Sequence, residues 1–222
     1  MTDYSKMTSV QLDALREIGN IGAGHAATSL AGMINKKVMI DVCQIDLVNI
    51  KDLAGIFNHE HGDILDVQLG FSGDINGSIH YVMPKEEASN FVAMLTVRPR
   101  GSSKELDGAD LAVLKECGGI LLTSYLGAIS DFLKFSLVFA APDIECVNRV
   151  DFISKRLPQR HTANEAGFCI ETAFIIDLPS AKPSAGITKE KVNKAKNRIK
   201  VYFVLIPDNH GLELIVKRLR IG

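Results

Sequence analysis

The chain repeats itself. Leu15-Arg16-Glu17-Ile18-Gly19-Asn20-Ile21 returns as Leu114-Lys115-Glu116-Cys117-Gly118-Gly119-Ile120, and Glu17 and Glu116 are separated by the same 99 positions as Asn20 and Gly119. Apolar, strand-like segments follow each copy, and the two halves end alike. In the first, Ser78 to Met83 meets Pro84 and runs into Lys85 to Leu95; in the second, Lys200 to Ile206 meets Pro207 and runs into Asp208 to Leu219. The strands are β-branched and aromatic, and proline suits the first turn of a following helix. Two helix–strand–strand–strand–helix halves predict an α/β (α+β) protein with pseudo-twofold symmetry. Its sheet would have about six strands, with the long helices packed on one side. The expected organisation is one domain over 1–222, made of two homologous halves, about 1–100 and 101–222.

The second half is longer by about 24 residues, because Pro84 and Pro207 are further apart than the two glutamates. The excess falls at 178–198, where Pro179, Pro183 and Gly186 precede Lys189, Lys191, Lys194, Lys196 and Arg198. That composition reads as an inserted surface loop. Elsewhere, Lys37 to Val48, Phe135 to Ala141, Phe168 to Ile176 and Ile199 to Ile206 read as strands, and Ile50 to Phe57 as a short helix or turn. Ile64 to Ser72 and Gly77 to Met83 make a hairpin around Asp74-Ile75-Asn76-Gly77, since Asn-Gly is a strong turn signal. Leu106 to Phe132 is a second long helix, apolar enough to be largely buried.

Composition narrows the class of partner. Hydrophobic residues make up 46% of the 222 and charged residues 23%, with a formal net charge of −1, so bulk attraction to nucleic acid or an anionic membrane is not expected. No apolar run approaches the roughly 20 residues of a membrane span. Met1 to Lys6 lacks the apolar region of a signal peptide, and the expected location is the cytoplasm. Cys43, Cys117, Cys146 and Cys169 form no Cys-x-x-Cys pair, which argues for buried thiols rather than a zinc or redox motif.

Chemistry concentrates in the first copy of the repeat. Asp13, Glu17, Asn20 and Gly24 are spaced four, three and four apart, and on a helix turning about 100° per residue they share one stripe. Glu17 can pair with a cation on a partner. Asn20 is both donor and acceptor and can hold and aim a water molecule, a legitimate role in phosphoryl transfer, where the protein mainly positions and stabilises. Gly19, Gly22 and Gly24 each cost roughly 1 kcal/mol in a helix interior relative to alanine, which suits a helix that something must approach closely.

Asp13-x-x-x-Glu17-x-x-Asn20-x-x-x-Gly24 resembles the signature of the CheC-type chemotaxis phosphatases, related to CheX and FliY. Leu15, Ile18 and Ile21 to Ala27 are similar to that family's first helix, and Leu114 to Ser130 to its second. The resemblance implies hydrolysis of the aspartyl phosphate of a CheY-type response regulator, with Glu17 pairing a regulator lysine and Asn20 orienting the attacking water. Asp13 and Gly24 would support the helix and its approach. The chain would carry no cofactor of its own, the Mg²⁺ belonging to the regulator. The second copy departs from the pattern: Ala112 stands at the first position, Glu116 is kept, Gly119 replaces asparagine and Thr123 replaces glycine. A glycine has no side chain to hold water, so this copy is expected to be catalytically dead. The resemblance also implies a possible partner in the receptor deamidase CheD. It leaves two other roles open: a weakly catalytic or non-catalytic docking module for CheD or a phosphorylated regulator, and a structural part of the flagellar switch.

Other residues point less far. His59-Glu60-His61 with Asp63 shows no further metal ligand nearby and reads as a solvated loop. His25 lies at the edge of the stripe, and His80 is expected to be a satisfied strand histidine. No phosphate-binding loop, dinucleotide fingerprint or Gly-x-Ser-x-Gly elbow is present.

Overall fold

The two long helices begin and end in matching ways. Thr8 and Asp107, again 99 apart, are the N-caps of α1 (Ser9–Ile34) and α3 (Gly108–Leu133), and each closes a capping box, with Gln11 and Asp110 respectively. Both boxes satisfy amide groups that a helix start would otherwise leave orphaned. Both helices stop at a left-handed residue, Asn35 and Lys134. A computed structural model describes residues 8–53, 62–98, 105–157, 166–176 and 198–219. The expected insertion lies almost wholly outside these residues, as does His59-Glu60-His61; Arg198 is already in a strand.

After α1 the chain forms β1 (Val38–Asn49), a 3-10 turn (Ile50–Asp52), the hairpin of β2 (Asp63–Gly73) and β3 (Gly77–Pro84), and α2 (Lys85–Leu95). After α3 come β4 (Leu137–Phe139) and β5 (Asp143–Asn148). A short helix, α4 (Arg149–Asp151), continues as a π-helical stretch (Phe152–Arg156). The last elements are β6 (Ala166–Ile176), β7 (Arg198–Pro207) and α5 (Asn209–Arg218).

The strands form one antiparallel sheet in the order β1-β6-β7-β3-β2-β4, with β5 also on β2. The order is symmetric about the central β3–β7 pair. Each half also lends its first strand to the other: β1 pairs with β6, and β4 and β5 pair with β2. Sequence reading gives Phe135 to Ala141 as one strand. Instead this position is split, because β4 and β5 are two pieces of one outer strand interrupted at Ala140–Pro142. Among the described residues, six strand positions thus hold seven strands.

Among the described residues, the four longer helices all lie on one face. Leu15, Ala26 and Leu30 of α1, Phe91 and Val92 of α2, Leu121 and Leu126 of α3, and Leu212 and Ile215 of α5 share a core with Leu65, Val67, Ile79, Tyr81 and Phe203 of the sheet. α3 is long and apolar enough to span a bilayer, but its apolar side is spent on this core, with Leu114, Leu121, Leu122 and Tyr125 buried. The opposite face is smaller. Ile50, Leu53, Phe152 and Leu157 cover Ile64, Val82, Val204 and Ile206 there.

Candidate functional site

Helix α1 has two faces with different work. Leu15, Ile18, Gly19, Gly22, Ala23, Ala26, Ala27 and Leu30 are buried, and their three- and four-residue spacing makes one continuous stripe. Asp13, Glu17 and Asn20 stand opposite it and are exposed, Gly24 is partly exposed, and His25 is exposed beside them. The four motif positions therefore lie together on one outward stripe. The side chains of Glu17 and Asn20 have no hydrogen-bond or ion-pair partner among the described residues. Asp13 is engaged: its Oδ1 accepts from Arg16 Nη1 at 3.1 Å, an exposed pair of the kind that contributes 1 kcal/mol or less.

The glycines correct one expectation. Gly19 and Gly22 face inward, not towards an approaching partner. A Cβ on Gly22 would lie 2.9–3.0 Å from three atoms of the Tyr125 ring, and one on Gly19 would lie 2.5 Å from Ile45 Cδ1. Their role is to let α1 settle on α3 and the sheet, where Ser29 Oγ and Ser124 Oγ come within 2.7 Å. Tyr125 is fully buried and stacks on Phe203, with ring centroids 4.3 Å apart and planes at 11°. Gly24 differs, since a Cβ there would meet nothing within 4 Å. Of the three, only Gly24 keeps the outer surface low.

The corresponding face of α3 is not equivalent. Ala112 and Glu116 are exposed, but Gly119 is buried, where Asn20 is exposed. Thr123 turns its hydroxyl back onto its own helix, donating to Gly119 O at 2.9 Å.

His80 is the satisfied strand histidine expected from the sequence, but the buried polar cluster around it, on the opposite face of the sheet, escaped the sequence reading. His80 Nδ1 lies 3.0 Å from Asp66 Oδ1, and Ser78 Oγ lies 2.9 Å from His80 Nε2. Because an ionised carboxylate only accepts, Nδ1–H donates to Asp66. Arg156 Nε donates to the other oxygen of Asp66, and its Nη1 reaches Asp143 Oδ2 at 3.2 Å and Glu145 Oε2 at 2.7 Å. Burial disfavours the guanidinium charge, but Asp66 and Asp143 outweigh it and hold the Arg156 pKa above its usual value. Asp66, Ser78 and His80 are all buried, so this hydroxyl–imidazole–carboxylate string, through Arg156, binds the π-helical stretch to the sheet and does not face a substrate. Its only sequence signal was the polar positions of β2 and β3, Asp66, Ser78 and His80, breaking otherwise apolar strands. Among the described residues, no three His, Cys, Asp or Glu side chains converge as a metal site.

The sequence pattern of the CheC-like family matches residues 10–42, which contain the whole outward stripe. Across 176 residues the chain is 30% identical to the CheY-P phosphatase CheC of Bacillus subtilis (strain 168), covering 78% of this chain and 84% of that protein. The chain belongs to the CheC family. The flagellar motor switch phosphatase FliY of the same organism is 20% identical over 79% of this chain, which spans 46% of FliY's length. In structure, FliY of Thermotoga maritima matches with a TM-score of 0.72 at 20% identity, over 96% of this chain and 98% of that one. The FliM middle domain of H. pylori matches at 0.61 and 11% identity, over 96% and 99%. At such identities these two likenesses show the fold alone. Membership of the CheC family gives the chain a chemotaxis role.

Proposed function

We propose that this CheC-family protein dephosphorylates the aspartyl phosphate of a CheY-type response regulator through the outward stripe of α1. Glu17 pairs with a lysine of the regulator and fixes the docking register. Asn20, one turn further on, enters the phosphorylated site. Its carboxamide holds the attacking water in line with the phosphorus. The aspartyl phosphate and the Mg²⁺ belong to the regulator, so this chain supplies position rather than a nucleophile or a base. Positioning is a large part of catalysis in phosphoryl transfer. Asp13, paired with Arg16, and Gly24, which keeps the surface low, shape the rim of this face.

The observation that carries the reading is the pair Glu17 and Asn20, exposed on one helical stripe and free of internal partners, in a relative of a protein named for hydrolysing CheY-P. Side chains on a fixed helix that are held by no internal bond are available to a partner. The test is the loss of phosphate from a phosphorylated CheY-type regulator in Mg²⁺. Asn20→Ala should reduce the acceleration by about 10²-fold or more, the scale of a misplaced reactant, while regulator binding persists. Glu116→Ala should leave it unchanged. Full turnover by Asn20→Ala would remove the assignment. No acceleration by the wild-type chain would favour a docking role, with CheD or the regulator as the partner to test next.

A further inference from the structure

The second half lacks more than an asparagine. The outer strand of each half carries one extra residue relative to its neighbour. In β1 the register shifts between Val42 and Gln44, so Cys43 is the extra residue. In the other half Phe139 faces Phe71 but Asp143 faces Gln68, so Ala140, Ala141 and Pro142 oppose only Leu69 and Gly70. Cys43 and Pro142 are again 99 apart. A bulge on an outer strand is where proline is tolerated, since no ladder amide is needed there. The ring of Pro142 rests on the helix: a Cβ on Gly119 would lie 2.9 Å from Pro142 Cγ and 3.3 Å from its Cβ. Neither of these ring atoms is the tip of a flexible chain.

Pro142 also has little freedom to retreat. Ala140 N donates to Gly70 O at 2.8 Å on one side of it. On the other side, Asp143 and Glu145 are gripped by Arg156, itself buried and bonded to Asp66. The polar cluster on the far face thus pins the strand that carries the proline.

We infer that Pro142 closes the second face: its ring occupies the space a side chain at position 119 would need, so glycine is held there by packing. Glu116 remains exposed, but no water-orienting group can stand one turn beyond it. The chain has one catalytic face and one sealed face, and a single Gly119→Asn change does not reopen the second. The catalytic half of this statement rests on the proposed phosphatase reading; the steric half does not.

The two halves are tested separately. Thermal unfolding is measured for Gly119→Ala, Pro142→Gly and the double variant. In an open helix position Gly→Ala raises the midpoint. Here Gly119→Ala should lower it in the Pro142 background and raise it once Pro142→Gly has removed the ring. A rise of equal size in both backgrounds would overturn the inference. Turnover is then read for Gly119→Asn in the Asn20→Ala background, with phosphorylated regulator and Mg²⁺. It should stay at the Asn20→Ala level. Recovery towards wild-type turnover would show the face to be open and would also overturn the inference. If the wild type itself shows no turnover, the phosphatase reading fails while the unfolding cycle still decides the packing.

Discussion

Gly22 and Gly24 sit two residues apart on α1, yet alanine should act on them with opposite sign. Replacing a helical glycine by alanine gains about 1 kcal/mol from backbone entropy. At Gly24 nothing lies within 4 Å of the new methyl, so the full gain is expected. For a chain of this size that raises Tm by roughly 2–4 °C. At Gly22 the methyl would sit 2.9–3.0 Å from three ring atoms of Tyr125, and that ring is held from behind by Phe203 at 4.3 Å. Overpacking of this kind typically costs 1–3 kcal/mol, which outweighs the gain. Gly22→Ala should therefore lower Tm while Gly24→Ala raises it, as read by thermal or urea unfolding of the two variants side by side. Turnover adds a second readout. Gly24 lies on the stripe proposed to dock the regulator, so Gly24→Ala should lose roughly tenfold or more in rate, since a misplacement of about 1 Å can cost 10²-fold. The variant would be more stable and less active. If Gly22→Ala stabilises as much as Gly24→Ala, the packing argument is wrong. If Gly24→Ala is stabilised and fully active, Gly24 does not govern approach.

Arg156→Met should destabilise the fold by about 3–5 kcal/mol, because it strands the buried Asp66 carboxylate; adding Asp66→Asn should recover part of that loss, and a cycle in which Asp66→Asn worsens it would count against the cluster as a clasp. Stability should also fall in alkali. Burial, reinforced by Glu116, pushes the Cys117 thiol up from 9.0 to about 12, and burial raises Cys169 too. Unfolded thiols lose protons above about pH 9 that the folded chain retains. Their contribution is therefore intact below that pH and is lost as pH rises towards 12. Each group should remove about 1.4 kcal/mol per pH unit in that window, and urea midpoints that stay flat from pH 9 to 11 would contradict this.

Much of the architecture is legible in the sequence because it is local and repeated. Leu106 to Phe132 is expected as a helix and Gly108–Leu133 is found; Lys37 to Val48 is expected as a strand and Val38–Asn49 is found. The Asn76-Gly77 signal marks a real hairpin, although the loop is wider than a two-residue turn, running from Phe71 to its partner Gly77. Spacing alone puts Asp13, Glu17, Asn20 and Gly24 on one stripe. It does not say which way the neighbouring glycines point, since Gly19 and Gly22 are fixed by Ile45 and Tyr125, residues far along the chain. That His80 is satisfied is legible from its place in a strand, but its partners in the Asp66–His80–Arg156 cluster are not, for the same reason: the members are 14 and 90 residues apart and carry no shared pattern. The split at Ala140–Pro142 was hidden too, because a bulge is a mismatch between two strands and only one was in view.

The exchange of outer strands between the halves has a consequence for how the chain is made. β1 ends at Asn49, and β6, its only strand partner among the described residues, begins at Ala166. At about 5–20 residues per second of synthesis, β1 waits on the order of ten seconds before its partner leaves the ribosome. Through that interval Val38, Ile40, Ile45 and Leu47 belong to an unpaired, partly apolar edge, the kind of segment that recruits other strands. The sheet is closed last, by non-local pairings that form slowly. The nascent first half is thus the stage of this protein's life most exposed to aggregation, and the one at which a chaperone would matter most.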